Sequence, residues 1–271
     1  MFRAKASTFG TIRRAEAELC VVRVPDPWYN RDIRQKTSIF RKEEKSVKYR
    51  AVIFDMYETL VTQLRSPLYY GTQIAQDLGL EPNVFLPLWR ETEKARATGK
   101  QTFEEVMEML MRRWDIYTPE GHRRVVEKRI CVQTDCFAHL HPQILPVLTE
   151  LKRRNIRIGL ITNCFSEEAK LIRESEMFAY FDAPCLSWEL GVRKPDPAIY
   201  RIYLEKLGLP AEDCLYVGDG GSRELETARE MGMQAVQAVW YRQEAFEKYQ
   251  AAIRPEFIQI PQPMDLLSWI Q

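Results

Sequence analysis

From Tyr49 onward the chain alternates short apolar runs, rich in β-branched residues, with amphipathic stretches of helical period, and this alternation restricts the fold more than any other feature. Parallel strands need a crossover between neighbours and a helix supplies one, so the expected class is α/β, a parallel sheet with helices on its faces. Strands are expected at Ala51 to Phe54, Arg157 to Ile161, Ala183 to Leu186, Cys214 to Val217 and Gln234 to Val239. Helices such as Gln143 to Arg154, Ala198 to Leu207 and Glu224 to Met231 separate them. The first four strands each end near a polar cluster. In an open α/β sheet ligands bind beyond the carboxyl ends of the strands, so those clusters are expected to meet in one crevice.

The connection after the first strand is an exception, because about a hundred residues stand where one crossover helix would suffice. Amphipathic segments begin after Ser66-Pro67, after Glu81-Pro82, after Thr102 with Glu105 three residues on as a capping box, and after Thr118-Pro119. The segment 66–140 therefore reads as a bundle of four helices inserted after the first strand and positioned to close over the crevice, set into a core made of 49–65 and 141–271. Residues 1–48 form a third region. Residues 1–50 carry 13 Lys and Arg against 6 acids, which leaves 26 against 32 for residues 51–271. With little apolar periodicity and with Pro25 and Pro27 near its middle, this region reads as a basic extension, disordered or loosely docked.

A net charge of +1 provides no overall field to draw the chain onto nucleic acid or an anionic membrane. No apolar run approaches the ~20 residues of a membrane span. The six cysteines lack C-x-x-C spacing and several sit in apolar runs, so they read as small buried hydrophobes in a reducing, cytoplasmic setting. With three histidines in the chain, any metal should be held by oxygen. The expected partner is a small molecule, with no nucleic acid and no membrane, handled by a monomer or homodimer.

Four clusters carry the chemistry. The first, Phe54-Asp55-Met56-Tyr57-Glu58-Thr59-Leu60, sets a carboxylate at the end of an apolar strand with Thr59 four residues on. Gly159-Leu160-Ile161-Thr162-Asn163 sets a hydroxyl at the end of the next strand, and Val192-Arg193-Lys194-Pro195-Asp196-Pro197 fixes a lysine ahead of a proline-started helix. Most informative is Val217-Gly218-Asp219-Gly220-Gly221-Ser222-Arg223-Glu224, in which two carboxylates flank a glycine-rich turn and can approach a cation from one side. Each cluster alone has an ordinary explanation: a turn-capping Asp, a loop Thr, a solvated Lys, an acidic helix start. Their order and placement make coincidence a poor account.

From Tyr49 to about Trp240 the sequence resembles the haloacid dehalogenase superfamily, whose members carry a Rossmann-like sheet and often a cap between their first two motifs. The resemblance implies that Asp55 is a nucleophile, that Thr162 with Asn163 and Lys194 hold phosphate, and that Thr59 belongs to the first motif. It implies a Mg2+ site made of Asp55, the backbone carbonyl of Tyr57, Asp219 and Glu224. The implied reaction is hydrolysis of a phosphate monoester through an aspartyl phosphate on Asp55. That route splits one difficult displacement into two easier ones.

Tyr57 departs from the pattern, since phosphatases of this family place an Asp there as general acid and base. A phenol with reference pKa ~10 can donate a proton at neutral pH but hardly accept one. Glu58 is not a simple substitute, because successive residues leaving a strand point to opposite sides. An aromatic residue at position 57 resembles the metal-independent 2-haloacid dehalogenases, whereas the acidic pair resembles the phosphatases. A phosphate-binding protein with weak residual activity is a third alternative. Substrate choice would fall to cap side chains such as Trp89, Arg90, Glu93 and Arg96, if they face the crevice rather than solvent and the bundle core.

Overall fold

A computed structural model describes residues 48–65, 67–242 and 251–270. The reading of 1–48 as a loose extension falls outside these residues, apart from Lys48. Six parallel strands form one sheet in the order β3-β2-β1-β4-β5-β6. They are β1 Ala51–Phe54, β2 Arg157–Thr162, β3 Ala183–Leu186, β4 Cys214–Gly218, β5 Gln234–Ala238 and β6 Ile258–Ile260. The central strands are buried on both faces because their alternate residues feed two cores. Val52 and Phe54 pack with Leu151, Ile172 and Ile260 on one side; Ala51 and Ile53 pack with Ile199, Tyr203 and Tyr216 on the other. Gly159 in β2 has a steric reason, since a Cβ there would lie 2.2 Å from the Tyr203 hydroxyl.

The sheet register positions the site. Phe54 is level with Leu160 of β2 and Val217 of β4, and the Asp55 amide donates to the Val217 carbonyl at 2.9 Å. Asp55, Thr162 and Asp219 thus leave three adjacent strands at the same carboxyl edge. β6, three residues long, was not anticipated, because Ile258-Gln259-Ile260 is too short a period-2 signal to separate from a loop.

Between β1 and β2 lie α1 Gly71–Asp77, α2 Pro82–Glu91, α3 Glu93–Ala97, α4 Phe103–Arg113 and α5 Pro119–Ala138, followed by α6 Ile144–Arg153. The starts follow the caps. Thr102 accepts from the Glu105 amide at 3.1 Å while the Glu105 carboxylate accepts from the Thr102 amide at 2.8 Å, and the Thr118 hydroxyl accepts from the Gly121 amide at 3.0 Å. Where one helix was expected after Pro82 there are two. The break falls at Thr92, whose hydroxyl donates to the Trp89 carbonyl at 2.8 Å and so competes with the helix ladder. The first helix starts at Gly71 rather than directly after Pro67. Phe85, Phe103, Val106, Leu110 and Val125 form a core among these helices, with Trp89 packed against it. After β2 come α7 Ser166–Glu174, α8 Ser187–Leu190, α9 Pro197–Leu207 and α10 Glu224–Glu230.

One polar contact set ties the inserted helices to those of the sheet. Arg129 of α5 is buried and donates to Glu167 at 3.0 Å and to Glu168 at 2.7 Å, both on the first turn of α7, and to the Tyr69 carbonyl at 3.1 Å. Among the described residues Cys136, Cys164, Cys185 and Cys214 are buried free thiols and Cys131 is exposed; Cys20 lies outside them.

Candidate active site

Asp55 sits one residue past β1, and its Oδ1 is 2.6 Å from Nζ of Lys194. The same ammonium pairs with Glu224 on the first turn of α10. Burial works against the charge on Lys194, but the carboxylates of Asp55 and Glu224 outweigh it and hold its pKa above the ordinary lysine value. The backbone of Lys194 is clamped in turn: its amide donates to Asn163 Oδ1 at 2.7 Å, and Asn163 Nδ2 donates to its carbonyl at 3.0 Å. The amide of Asn163 therefore serves to position Lys194. Thr162 ends β2 fully buried, its hydroxyl 3.3 Å from the Asn163 carbonyl.

Glu224 is fixed from several directions. Tyr216 Oη donates to Oε2 at 3.0 Å, the Gly220 amide donates to Oε1 at 3.3 Å, and Tyr200 Oη donates to the Glu224 carbonyl at 3.2 Å. A Cβ on Gly218 would stand 2.1 Å from Glu224 Oε1, so only glycine at the end of β4 lets the carboxylate reach Lys194. Asp219 accepts from the Gly221 amide at 2.8 Å, and its carbonyl accepts from Gln237 Nε2 of β5 at 2.8 Å. Tyr200, Tyr216 and Gln237 were missed by sequence reasoning. Tyr216 and Gln237 carried a usable signal, a polar-tipped residue inside an otherwise apolar strand.

Asp55, Asp219 and Glu224 each bring a carboxylate oxygen within 4.8 Å of the others. Burial, then the charge of Asp55, pushes the Asp219 carboxyl up to about 6. Burial and Asp55 raise Glu224 well above its usual range, with Lys194 opposing them. An all-oxygen cluster so short of positive charge has the donor set and the electrostatics that a hard divalent cation fits.

The first motif divides. Tyr57 and Val61 form an isolated bridge, so the chain after Asp55 folds back on itself. The buried Tyr57 hydroxyl has no hydrogen-bond partner among the described residues. Burial first, then the nearby charge of Glu168, raises its pKa well above that of a free phenol. Thr59 is buried with its hydroxyl likewise unpartnered, while its carbonyl accepts from Trp240 Nε1 at 2.8 Å. Glu58 takes a left-handed conformation at φ 56° that turns its carboxylate back onto its own turn, where it accepts from Thr62 Oγ1 at 2.6 Å and from the Gln63 amide at 2.9 Å.

A cavity of about 410 Å³ opens beside this edge, lined by Asn163 and Lys194 from the sheet side and by Glu93 and Ala97 of α3. Of the four residues named for substrate choice, Glu93 lines it, Arg90 is exposed and Trp89 packs in the helical core. Arg96 is buried, its guanidinium 3.6 Å from the Trp89 ring and 4.4 Å from the Phe165 ring.

The matches to known proteins bear on this arrangement. A family model for haloacid dehalogenase-like hydrolases matches residues 49–232. A glyceraldehyde 3-phosphate phosphatase of Methanopyrus kandleri is 25% identical over 238 residues, covering 82% of this chain and 97% of its own. A HAD-family enzyme of Bacteroides thetaiotaomicron superposes with a TM-score of 0.58 at 14% identity, over 72% of this chain and 98% of its own. A solved L-2-haloacid dehalogenase gives a TM-score of 0.52 at 20% identity, over 82% of this chain and 99% of its own. Phosphatase and dehalogenase relatives thus share the fold, and only site chemistry can separate them. No helix among the described residues is long and apolar enough to cross a membrane.

Proposed function

The chain belongs to the haloacid dehalogenase-like hydrolases, and from that premise we propose that it is a Mg2+-dependent phosphatase of a small phosphorylated metabolite, with Asp55 as nucleophile. The observation that carries the reading is the cluster of Asp55, Asp219 and Glu224, three carboxylates with oxygens within 4.8 Å beside a single lysine. A dehalogenase expelling halide has no need of such an excess of negative charge. The Methanopyrus relative, named as a phosphatase and matched over nearly its whole length, favours the same choice.

Mg2+ held by Asp55, Asp219, the Tyr57 carbonyl and Glu224 would neutralise phosphoryl charge as the ester bond breaks. The chain's own residues do the rest. Lys194 holds the Asp55 carboxylate in place, and Thr162 with Lys194 receives the phosphoryl oxygens. Asp55 attacks phosphorus and the alcohol leaves; water then cleaves the aspartyl phosphate and restores the carboxylate. The weak step is proton transfer, because Tyr57 is a buried phenol whose pKa is raised by burial first and then by the charge of Glu168, and whose hydroxyl has no hydrogen-bond partner among the described residues. Losing a general acid or base typically slows a reaction by ~10²- to 10⁴-fold. We assign 66–140 as the cap over a core of 49–65 and 141–271; it would exclude water and select the leaving group.

The second reading, a metal-independent 2-haloacid dehalogenase, is favoured by Tyr57 alone. Rates on a phosphate ester and on a 2-haloacid, each with and without EDTA, separate the two. Phosphate ester hydrolysis abolished by EDTA supports the phosphatase; EDTA-insensitive halide release overturns it.

A further inference from the structure

The cavity beside the reacting edge is larger than one phosphoryl group requires. At about 410 Å³ it has the size of a small-metabolite site. Beyond Asn163 and Lys194, its walls include Glu93 and Ala97 of α3, Phe165, Arg193, Ser222 and Arg223. Most of its charges are already engaged. Lys194 is taken by Asp55 and Glu224, and Arg193 pairs with Glu93 at 2.7 Å, which also cancels the one carboxylate on the lining. Arg223 is left, and its guanidinium makes no hydrogen bond or ion pair among the described residues.

The backbone shows how Arg223 is joined to the site. Ser222 and Arg223 are both left-handed, at φ 51° and φ 53°, a region where Gly or Asn would sit with less strain. Arg223 directly precedes Glu224, whose carboxylate is locked onto Lys194 and Tyr216. The turn that holds Glu224 in the site thus also carries the exposed Arg223 on the cavity lining.

We propose that Arg223 selects substrates whose leaving group carries a second anionic group, so that the substrate class is a short phosphorylated alcohol bearing a carboxylate or a further phosphate. The planar guanidinium fork matches either group with paired hydrogen bonds. The inference rests on the phosphatase reading and goes beyond it by naming the far end of the substrate.

The test compares kcat/KM for glycerol 3-phosphate, which ends in neutral hydroxyls, with glyceric acid 3-phosphate and 1,3-propanediol bisphosphate. Wild type should favour at least one anionic substrate by about tenfold or more, the scale of one hydrogen-bonded charge. The preferred one identifies the group. Arg223→Asn suits the left-handed backbone, and Arg223→Gly suits it further; both should cut that preference to under about threefold, chiefly through KM of the anionic substrate, while Arg223→Lys retains most of it. A wild-type ratio near one, or an Arg223→Asn ratio within about twofold of wild type, overturns the proposal. Turnover of p-nitrophenyl phosphate without anionic preference sinks this inference alone. Absence of Mg2+-dependent turnover on that ester sinks the phosphatase reading and this one with it.

Discussion

Tyr57 and Asp55, two residues apart, make opposite demands on a substitution. Asp55 is one arm of the carboxylate cluster and the proposed nucleophile, so Asp55→Asn should abolish phosphate ester hydrolysis, since an amide is a poor nucleophile and a weaker ligand. The Tyr57 hydroxyl is buried without a partner, and its removal leaves no donor or acceptor stranded. Tyr57→Phe should therefore keep kcat within about threefold and leave stability level or slightly improved. Tyr57→Asp restores a group that can both donate and accept a proton. It should narrow the gap between an activated aryl phosphate and an alkyl phosphate, within the ~10²- to 10⁴-fold ceiling of acid–base catalysis. Steady-state rates on the two esters decide the matter. A large loss in Tyr57→Phe would mean that the phenol itself donates the proton. Glu58 shows how local geometry escapes a rule about strands: alternation of side chains ends with β1, and a left-handed residue four places after Phe54 bends the carboxylate onto its own turn. Nothing in the order of residues 55 to 60 announces that conformation.

Helix α5 and helix α7 meet through a buried charge cluster, and its energetics are asymmetric. Arg129 is 2% exposed and faces both Glu167 and Glu168. Removing one partner of a buried pair strands the other, so Arg129→Met should cost about 3–5 kcal/mol in urea unfolding. Replacing Glu167 and Glu168 by Gln in the same protein should recover much of that loss, because no uncompensated charge remains. A cost below about 1 kcal/mol for the single change would show that the cluster relaxes when opened. This contact also marks the limit of what the sequence discloses. The five expected strands and the helix starts at Pro82, Phe103 and Pro119 are legible because period, proline and capping residues are local signals. Asp55, Thr162, Lys194 and Asp219 are legible because each ends or follows a strand whose neighbours are set by topology. Arg129 with Glu167, or Gln237 with the Asp219 carbonyl, joins residues 38 and 18 apart with no periodic pattern between them, and only the packed structure pairs them. The break at Thr92 is intermediate, visible afterwards in a hydroxyl that competes with the helix ladder.

Across the whole molecule, several acids are folded into places that favour their neutral form, and this fixes the sign of its pH dependence. Burial pushes Asp219 up to about 6, with Asp55 adding to it. Burial pushes Glu168 up to about 7 against the opposing charge of Arg129, and Glu58 up to about 7 against its bonds to Thr62 and Gln63. For each, the folded pKa lies above that of the unfolded chain. Between the two values the folded state holds more protons, so stability falls as pH rises through that window and levels off above it. Without metal, the protein should therefore lose stability from about pH 4 to about pH 7. A divalent cation bound by Asp55, Asp219 and Glu224 reverses the Asp219 contribution, because it binds the ionised carboxylate. Mg2+ at about a hundred times its dissociation constant adds about 2.7 kcal/mol, or roughly 5–10 °C in Tm for a chain of this size. That gain should be clear at about pH 7.5 and shrink at about pH 5, where protons compete for Asp219. Calorimetry at both pH values, with Mg2+ and with EDTA, reads the difference directly. An increment of equal size at both would place the cation away from Asp219, and no increment at either would remove the metal from the proposed reaction.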